Sequence, residues 1–462
     1  MTVTLVLPDW IAHDISNVAQ QRDEAGAVLL AGVAHTPEGL RLLGRELHWV
    51  PDNAYDRRTS RSLSIRSEGY VAALARAEEI GATPIWLHTH PGLNAIPIRS
   101  EYDEVVDDAL QSTFRIRSGS EIYASLVFSP ADQWFRFTGD VWEAGEAPTA
   151  SITRTFIVGP RWSLLAPDNS PIELRVPTLF DRQVRAFGGD IQRVLSQIRV
   201  GVVGCGGTGS AVSEQLTRLG IRSLLLIDPD ELSESNVTRV YGSTPAGEGS
   251  AKVDVLANHL EQIAPDATIE RCRGTITTEH VGRLLAGCDV VFGCTDDNAG
   301  RLVLSRFSSY YLAPVIDVGV LLSSSDGQLE GIDGRVTVLS PGAACLVCRG
   351  RVDLARAQAE LLDPDERQAL QAEGYAPELG QVEPAVVPYT SMVASFAVAE
   401  LLERLIGYGP DTEPGELLIR CHEREVRTNS RLPNARHYCD PAEGILGYGD
   451  RTPYLGQTWL VA

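Results

Sequence analysis

A chain of 462 residues with 44% hydrophobic content is long enough for two or three domains, each with its own core. The net charge of −21 argues against nucleic acid as a partner and suits a basic protein, and no apolar run approaches the roughly 20 residues that span a membrane. Eight cysteines in so long a chain do not suggest a disulfide scaffold, and Met1 to Leu7 lacks the basic leader and cleavage site of a secretory signal, so a cytoplasmic protein is expected.

The first constellation begins at Glu24, an acidic residue at the mouth of the apolar run Ala25 to Gly32, which reads as a buried strand. Ile85-Trp86-Leu87-His88-Thr89-His90-Pro91 then places two histidines at i, i+2. On a strand this spacing points both imidazoles to one face, where they can bind one metal. Pro91 ends that strand, and Ser100-Glu101-Tyr102-Asp103-Glu104 opens a helix on which Ser100 and Asp103 share a face. Two imidazoles and a carboxylate leave the fourth position of a zinc ion open, the arrangement of a hydrolytic site.

Glu24, His88, His90, Ser100 and Asp103 together resemble the JAMM metalloproteases, which cleave isopeptide bonds or C-terminal extensions of ubiquitin-like proteins. The resemblance implies zinc ligands at His88, His90 and Asp103, a general base at Glu24, and an oxyanion-stabilising role for Ser100. The nine residues from Pro91 to Arg99 exceed the family's usual spacing, so the loop must bulge.

Residues 146–178, with Pro148, Pro160, Pro167 and Pro171, read as a linker with a short ordered insert, placing a first domain at 1–145 and a second at 179–462. Within the second, Arg199-Val200-Gly201-Val202-Val203-Gly204-Cys205-Gly206-Gly207-Thr208-Gly209 runs from a strand through a glycine turn into a helix. Gly204, Gly206 and Gly209 fit G-x-G-x-x-G, and Gly207 lies in the same turn, where a phosphate can approach backbone N–H groups at a helix N-terminus. Asp228, ending the next strand, is placed for ribose hydroxyls. Asn236, Arg239, Lys252 and Asp296 add an amide, two cations and a carboxylate that a triphosphate with Mg²⁺ needs and a redox dinucleotide does not.

These residues resemble the ubiquitin-activating superfamily of adenylating enzymes, including bacterial activators of sulfur-carrier proteins, over roughly residues 178–440. The resemblance implies ATP as substrate, phosphate contacts from Asn236, Arg239 and Lys252, ribose binding by Asp228 and Mg²⁺ at Asp296. Phe180 to Gly188 resembles the entry helix, whose arginine, matched by Arg182, reaches the ATP of a partner subunit, so a homodimer is expected. Cys345 and Cys348 match half of the family's structural zinc site; His437 and Cys439 are the available other half, beside Cys421-His422. Residues 353–384 are acidic; the resemblance implies a crossover loop over the modifier's tail, and a solvated helix face is the other reading, while a packed helix is expected over Tyr389 to Ile406 and Tyr438 to Ala462 has no assignment.

The fold class expected is α/β, a JAMM-type domain followed by a Rossmann-like adenylation domain with a mostly parallel sheet. The function expected is ATP-dependent adenylation of the C-terminus of a ubiquitin-like modifier, joined in one chain to zinc-dependent processing or deconjugation of it, with a conjugating enzyme as a further partner. Activation of a sulfur carrier and a catalytically silent modifier-binding scaffold are the alternatives. The scaffold reading is weakened by two charged sets that are costly to converge without a ligand. Between Cys348 and Cys421 there is no cysteine to carry a thioester, so the reaction is expected to stop at the acyl-adenylate, with Thr390 or Ser391 a weaker internal acceptor.

Overall fold

The computed structural model describes residues 2–92, 96–143, 147–167, 177–325, 328–362, 366, 384–410 and 414–457. It divides into two compact units. The N-terminal unit comprises Met1–Pro171, Tyr310–Leu312 and Ile445–Arg451; the second comprises Ile172–Ser309, Ala313–Gly444 and Thr452–Ala462.

In the N-terminal unit the strands are β1 (Thr2–Pro8), β2 (Gly26–Thr36), β3 (Gly39–Trp49), β4 (Tyr55–Thr59), β5 (Ser62–Ile65), β6 (Thr83–Thr89), β7 (Tyr123–Pro130), β8 (Phe135–Trp142), β9 (Ala150–Val158) and β10 (Ser163–Leu165). The helices are α1 (Asp9–Ala19), α2 (Glu68–Ile80) and α3 (Glu101–Ser118). The sheet order is β1-β3-β2-β6-β7-β8-β9-β10, and β1 also pairs with β9, so the sheet closes on itself; β4 and β5 form a separate hairpin. Period-two alternation sorts the side chains between two cores. Ala27, Leu29, Ile85, Leu87, Leu126 and Phe128 pack with Ile11 and Ile15 of α1. Val28, Leu30, Trp86 and Tyr123 pack instead with Ala73, Leu74 and Ala77 of α2 and Leu110 and Phe114 of α3. Each such fully buried Leu or Phe contributes about 1.5–3 kcal/mol relative to exposure. His88 lies two residues from Trp86, which aims it at the α2 and α3 side.

β9 and β10 fall inside the stretch read as linker. The prolines that suggested a linker bound the strands instead of interrupting them: Pro148 precedes β9 and Pro160 separates β9 from β10. Between them Ile152, Phe156, Ile157 and Val158 are buried. Residues 146 and 168–176 of that stretch lie outside the described residues.

The second unit has β11 (Arg199–Val203), β12 (Ser223–Ile227), β13 (Thr268–Cys272), β14 (Val290–Gly293), β15 (Val315–Ser325), β16 (Gln328–Leu339), β17 (Glu416–Arg420) and β18 (Glu425–Asn429). Its helices are α4 (Asp181–Phe187), α5 (Gly189–Gln197), α6 (Gly207–Leu219), α7 (Lys252–Ile263), α8 (Glu279–Leu284), α9 (Asn298–Tyr311), α10 (Leu354–Glu360) and α11 (Val387–Ile406). The sheet order is β13-β12-β11-β14-β15-β16-β17-β18. The first five strands run parallel and the last three join antiparallel, so the sheet is mixed. The two parallel neighbours of β11 are β12 and β14, which makes the gap between β11 and β14 a topological switch point, the place where open α/β sheets bind ligands. α11 packs on α6, β15 and β16.

Among the described residues, no helix is long and apolar enough to cross a membrane.

Candidate functional site

In the N-terminal unit, Gly26 at the start of β2 stands opposite His88 near the end of β6. Thr89, whose side chain alternates away from the two histidines, accepts the Ala25 N–H at 2.9 Å and returns a backbone N–H to the Ala25 carbonyl at 2.9 Å. Glu24 is fixed from its other side, donating its N–H to Thr59 O at 3.0 Å and accepting Arg58 Nε at 2.9 Å. The strand edge thus carries Glu24 and the histidine pair in one register.

His88 Nε2 lies 3.1 Å from His90 Nε2 and 3.2 Å from Asp103 Oδ1, and His90 Nε2 is 3.8 Å from Asp103 Oδ2. The ligand atoms all lie within 4.8 Å of one another. Two imidazole nitrogens and a carboxylate turned on one point are the donor set of an open zinc site, and the residues fit that ion. Burial and the neighbouring His88 hold His90 neutral down to about pH 4, as metal ligation requires. Ser100 caps α3: its N–H and Oγ both donate to Asp103 Oδ2, at 2.7 and 2.8 Å, and the Asp103 N–H donates to Ser100 Oγ. The hydroxyl expected to face an oxyanion is therefore engaged with the Asp103 carboxylate. Burial pushes the Glu24 carboxyl up to about 7, against the lowering field of His88 and with the raising field of Asp103. All five residues line one cavity of about 780 Å³, with Trp86, Tyr70 and Leu110 as its apolar wall and Arg57 and Arg61 from the hairpin.

In the second unit, Gly204 takes a positive φ of 91°, and a Cβ there would meet the Cys294 carbonyl oxygen at 2.6 Å. A Cβ on Gly209 would fall 1.7 Å from Gly204 O, so the turn closes only with glycine at both positions. Gly206, the N-cap of α6, has open space where its Cβ would stand and no side chain caps the helix. The first N–H groups of α6 are left for an anion.

Around this turn lies a cavity of about 760 Å³ lined by Gly204, Gly206, Gly207, Asp228, Arg239, Lys252, Asp296 and Arg301. Asp228 is buried; its two oxygens accept the Cys205 N–H at 2.6 Å and the Asp230 N–H at 2.9 Å. Burial raises its pKa against the opposing field of Lys252, whose Nζ lies 3.9 Å away and donates to Asp230 at 2.7 Å. Arg239 donates to Ser235 O and packs against Gly207. Asp296 is exposed, whereas Asp297 accepts from Thr295 Oγ1 and from Gly300 N–H and so caps α9.

Three expected residues do not line this cavity: Gly209, which packs on Gly204 O beneath the turn, Asn236 and Arg182. Asn236 is buried and its Oδ1 accepts the Ser233 N–H, closing a short 3₁₀ turn, since a side-chain amide three residues after a serine is suited to that reciprocal cap. Arg182 is exposed on α4.

Cys345, Cys348, His437 and Cys439 converge. His437 Nδ1 is 3.5, 3.3 and 3.3 Å from the three sulfurs in that order, and Cys348 Sγ is 3.6 Å from Cys439 Sγ. Zinc bonds of about 2.3 Å to sulfur and 2.0–2.1 Å to nitrogen give tetrahedral edges of about 3.5–3.8 Å, so the four residues fit a structural zinc ion. A hydrogen bond from Cys439 outweighs burial and holds Cys345 down to about 5, giving the thiolate such a site needs. Cys421 lies apart, its Sγ 3.7 Å from Met392 Sδ.

The sequence model of the ThiF family matches residues 180–440. The chain belongs to the ThiF family.

The family match leaves residues 1–179 outside it. Ubiquitin-like modifier-activating enzyme 5 of Bombyx mori is 31% identical over 223 residues, 46% of this chain and 51% of that protein. The molybdopterin-synthase adenylyltransferase of Escherichia coli (strain K12) is 27% identical over 256 residues, 54% of this chain and 91% of that protein. A solved structure of E. coli MccB with AMPCPP and MccA is 16% identical with a TM-score of 0.46, covering 59% of this chain and 75% of that one. The chain spans about half the length of the modifier-activating relatives it matches.

Within the ThiF region the sequence reading missed Arg301 and placed Arg356 and Glu360 only in the acidic segment 353–384; all three are on the cavity wall. Arg301 follows Asp296 by five residues in the first turn of α9, a spacing that returns it over the β14 end. Beneath it, fully buried Asp317 lies 3.7 Å from Arg301 Nε and 2.6 Å from Arg335 Nη2, a pairing across β15 and β16 that only the register supplies. Of the acidic segment 353–384, Asp353 caps α10 and Glu360 accepts the Ala299 N–H at 2.8 Å; Asp363, Asp365, Glu373, Glu378, Glu383 and Arg367 lie outside the described residues.

Proposed function

We propose that the second unit adenylates the C-terminal carboxylate of a ubiquitin-like or sulfur-carrier protein, and that the N-terminal unit is a JAMM-type zinc peptidase acting on the tail of the same protein. The observation that carries the first half is the cavity at the switch point, which gathers an uncapped helix N-terminus, Asp228, Arg239, Lys252 and Asp296 around one space. ATP enters as substrate, its phosphates on the α6 N–H groups and its ribose on Asp228, whose backbone-held oxygens keep lone pairs for hydroxyls. The incoming carboxylate oxygen bonds to the α-phosphorus as the bond to the β-phosphate oxygen breaks and pyrophosphate departs. Arg239 and Lys252 stabilise the charge that develops there. Mg²⁺, held by Asp296, would neutralise phosphate charge. The relatives named as a modifier-activating enzyme and a molybdopterin-synthase adenylyltransferase support this reading and leave both carrier classes in play. Exchange of labelled pyrophosphate into ATP, dependent on a carrier with a free C-terminus, tests it; no exchange with either carrier class would refute it.

For the N-terminal unit the supporting observation is the convergence of His88, His90 and Asp103 on one cavity with Glu24, whose carboxyl burial pushes up to about 7. Zinc held by these three ligands would supply an acidified water. Glu24 is placed to accept a proton at its carboxylate and pass it to a leaving amine, Trp86 and Leu110 exclude solvent, and Ser100 holds Asp103 in place.

Arg182, exposed and outside the cavity of its own chain, is assigned to the ATP of a second copy in a homodimer. Mixing Arg182→Ala and Asp296→Ala proteins should then restore up to about a quarter of wild-type exchange, the random-mixing share of dimers with one intact site being half and each carrying one site of two. Exchange no higher than in the unmixed variants, with subunit exchange shown by tagged pull-down, would contradict this.

The product is proposed to leave as the acyl-adenylate. Cys421 sits against Met392 and is absent from the cavity wall, burial raises its pKa, and the Cys345 cluster is assigned to a structural zinc ion that its geometry fits. Enzyme, carrier and ATP run on gels without reductant should show no thiol-sensitive adduct. An adduct that disappears with thiol and with Cys421→Ala would make the protein a thioester-forming activator.

A further inference from the structure

The loop entering α3 is tied down by a buried charge cluster outside the peptidase motif. Arg99, with only 12% of its side chain exposed, donates Nη1 to Asp140 Oδ2 on β8 at 2.7 Å and pairs through Nη2 with Asp107 on α3. Asp107 is 2% exposed and accepts the Tyr123 hydroxyl from β7 at 2.7 Å; the other oxygen of Asp140 accepts Ser151 Oγ at 2.7 Å. Two residues before Arg99, the Pro97 carbonyl accepts Thr138 Oγ1 of β8 at 2.7 Å. The segment is therefore anchored twice on one strand and once on the helix that carries Asp103. Directly after Arg99 comes Ser100, whose N–H and Oγ both hold Asp103 Oδ2 and leave Oδ1 toward His88.

A guanidinium held between the buried Asp107 and the partly exposed Asp140 is an expensive way to pin a loop, and apolar packing of similar volume would do so at less cost. What the planar fork adds is direction: it bridges helix and strand at fixed angles, which a flexible or apolar contact does not. We propose that Arg99 is a positioning residue for metal binding, fixing Ser100 and through it the Asp103 carboxylate against His88 and His90. This rests on reading that cluster as a zinc site.

The test is zinc affinity of the full-length protein at 25 °C, by competition with a chromophoric chelator. His88→Ala protein supplies the reference for zinc held at the Cys345 cluster. Arg99→Met should weaken the His88 site on the order of 10- to 100-fold, the usual effect of losing a partner that orients a ligand. Arg99→Lys should recover part of this, because an ammonium restores the charge without the fork. Asp140→Asn, which removes one arm and leaves Asp107 paired, should give a smaller loss in the same direction, and it carries the test if Arg99→Met does not fold. A role in fold stability alone would lower the melting midpoint of the metal-free protein and leave the zinc affinity of folded protein unchanged. Wild-type affinity in Arg99→Met, or in Asp140→Asn where Arg99→Met is unfolded, would overturn the positioning role while leaving the zinc site standing. Wild-type protein that holds no more zinc than His88→Ala would overturn the zinc reading, and the positioning role with it.

Discussion

Alanine at Asp296 is expected to lower ATP–pyrophosphate exchange by roughly 10³-fold, the scale on which removal of a group that stabilises transition-state charge is felt. Asp296 stands exposed at the end of β14, and among the described residues it makes no hydrogen bond or ion pair, so its loss should leave the melting midpoint unchanged. Asp297 provides the contrast. It holds the Gly300 N–H at 2.6 Å at the start of α9, and Asp297→Ala should cost about 1 kcal/mol of stability while retaining most exchange below the melting transition. The reverse pattern, with exchange lost at 297 and kept at 296, would move the metal carboxylate by one residue. Exchange retained in both would remove the Mg²⁺ role from this pair.

Glu24→Gln is expected to lower cleavage of a tail-extended carrier by roughly 10²-fold or more with zinc content unchanged. The substitution keeps the shape of the side chain and its backbone ties to Thr59 and Arg58, and removes only the proton acceptor. His88→Ala should instead lose the metal, because the remaining His90 and Asp103 offer two ligand atoms where zinc takes three from protein in catalytic sites. Cleavage and metal analysis run side by side separate the two effects. A Glu24→Gln protein that cleaves at the wild-type rate would refute the general-base assignment.

The parts of these sites that sequence exposed are those set by short-range geometry. The glycine turn was legible because only glycine tolerates the Gly204 dihedral and the Gly209 approach, and the histidine pair because strand periodicity fixes which side chains share a face. Ser100 and Asp103 were expected on one helix face and do meet, but Ser100 is the extended N-cap ahead of α3, and their mutual hydrogen bonds, which occupy the serine hydroxyl, follow from cap geometry that spacing alone does not resolve. Asn236 shows a related ambiguity: a polar residue near a phosphate-binding turn can also close a local backbone turn, and here its Oδ1 does so. Arg301 with Asp317 and Arg335, and Arg99 with Asp140, were invisible because each joins separate elements whose packing no local spacing announces. Tyr310–Leu312, at the end of α9, and the segment Ile445–Arg451 belong to the N-terminal unit through such contacts too. Asp450 donates its N–H to Val33 O at 2.7 Å and accepts the Tyr311 hydroxyl at 3.0 Å, and Gly32 has no room for a Cβ beside Gly447 O. That segment has neither strand alternation nor helix periodicity, so nothing in its own residues announced where it packs.

Adenylation of a carrier tail by the ThiF unit is tested most directly by intact-mass measurement of the carrier itself. Wild-type enzyme, ATP, Mg²⁺ and a ubiquitin-like or sulfur-carrier protein ending in a free carboxylate should give, after rapid quenching, a carrier population heavier by one AMP. The same carrier with an amidated C-terminus should stay at its starting mass. An AMP adduct on the amidated carrier, or starting mass throughout for both carrier classes with active-site residues intact, would contradict the account.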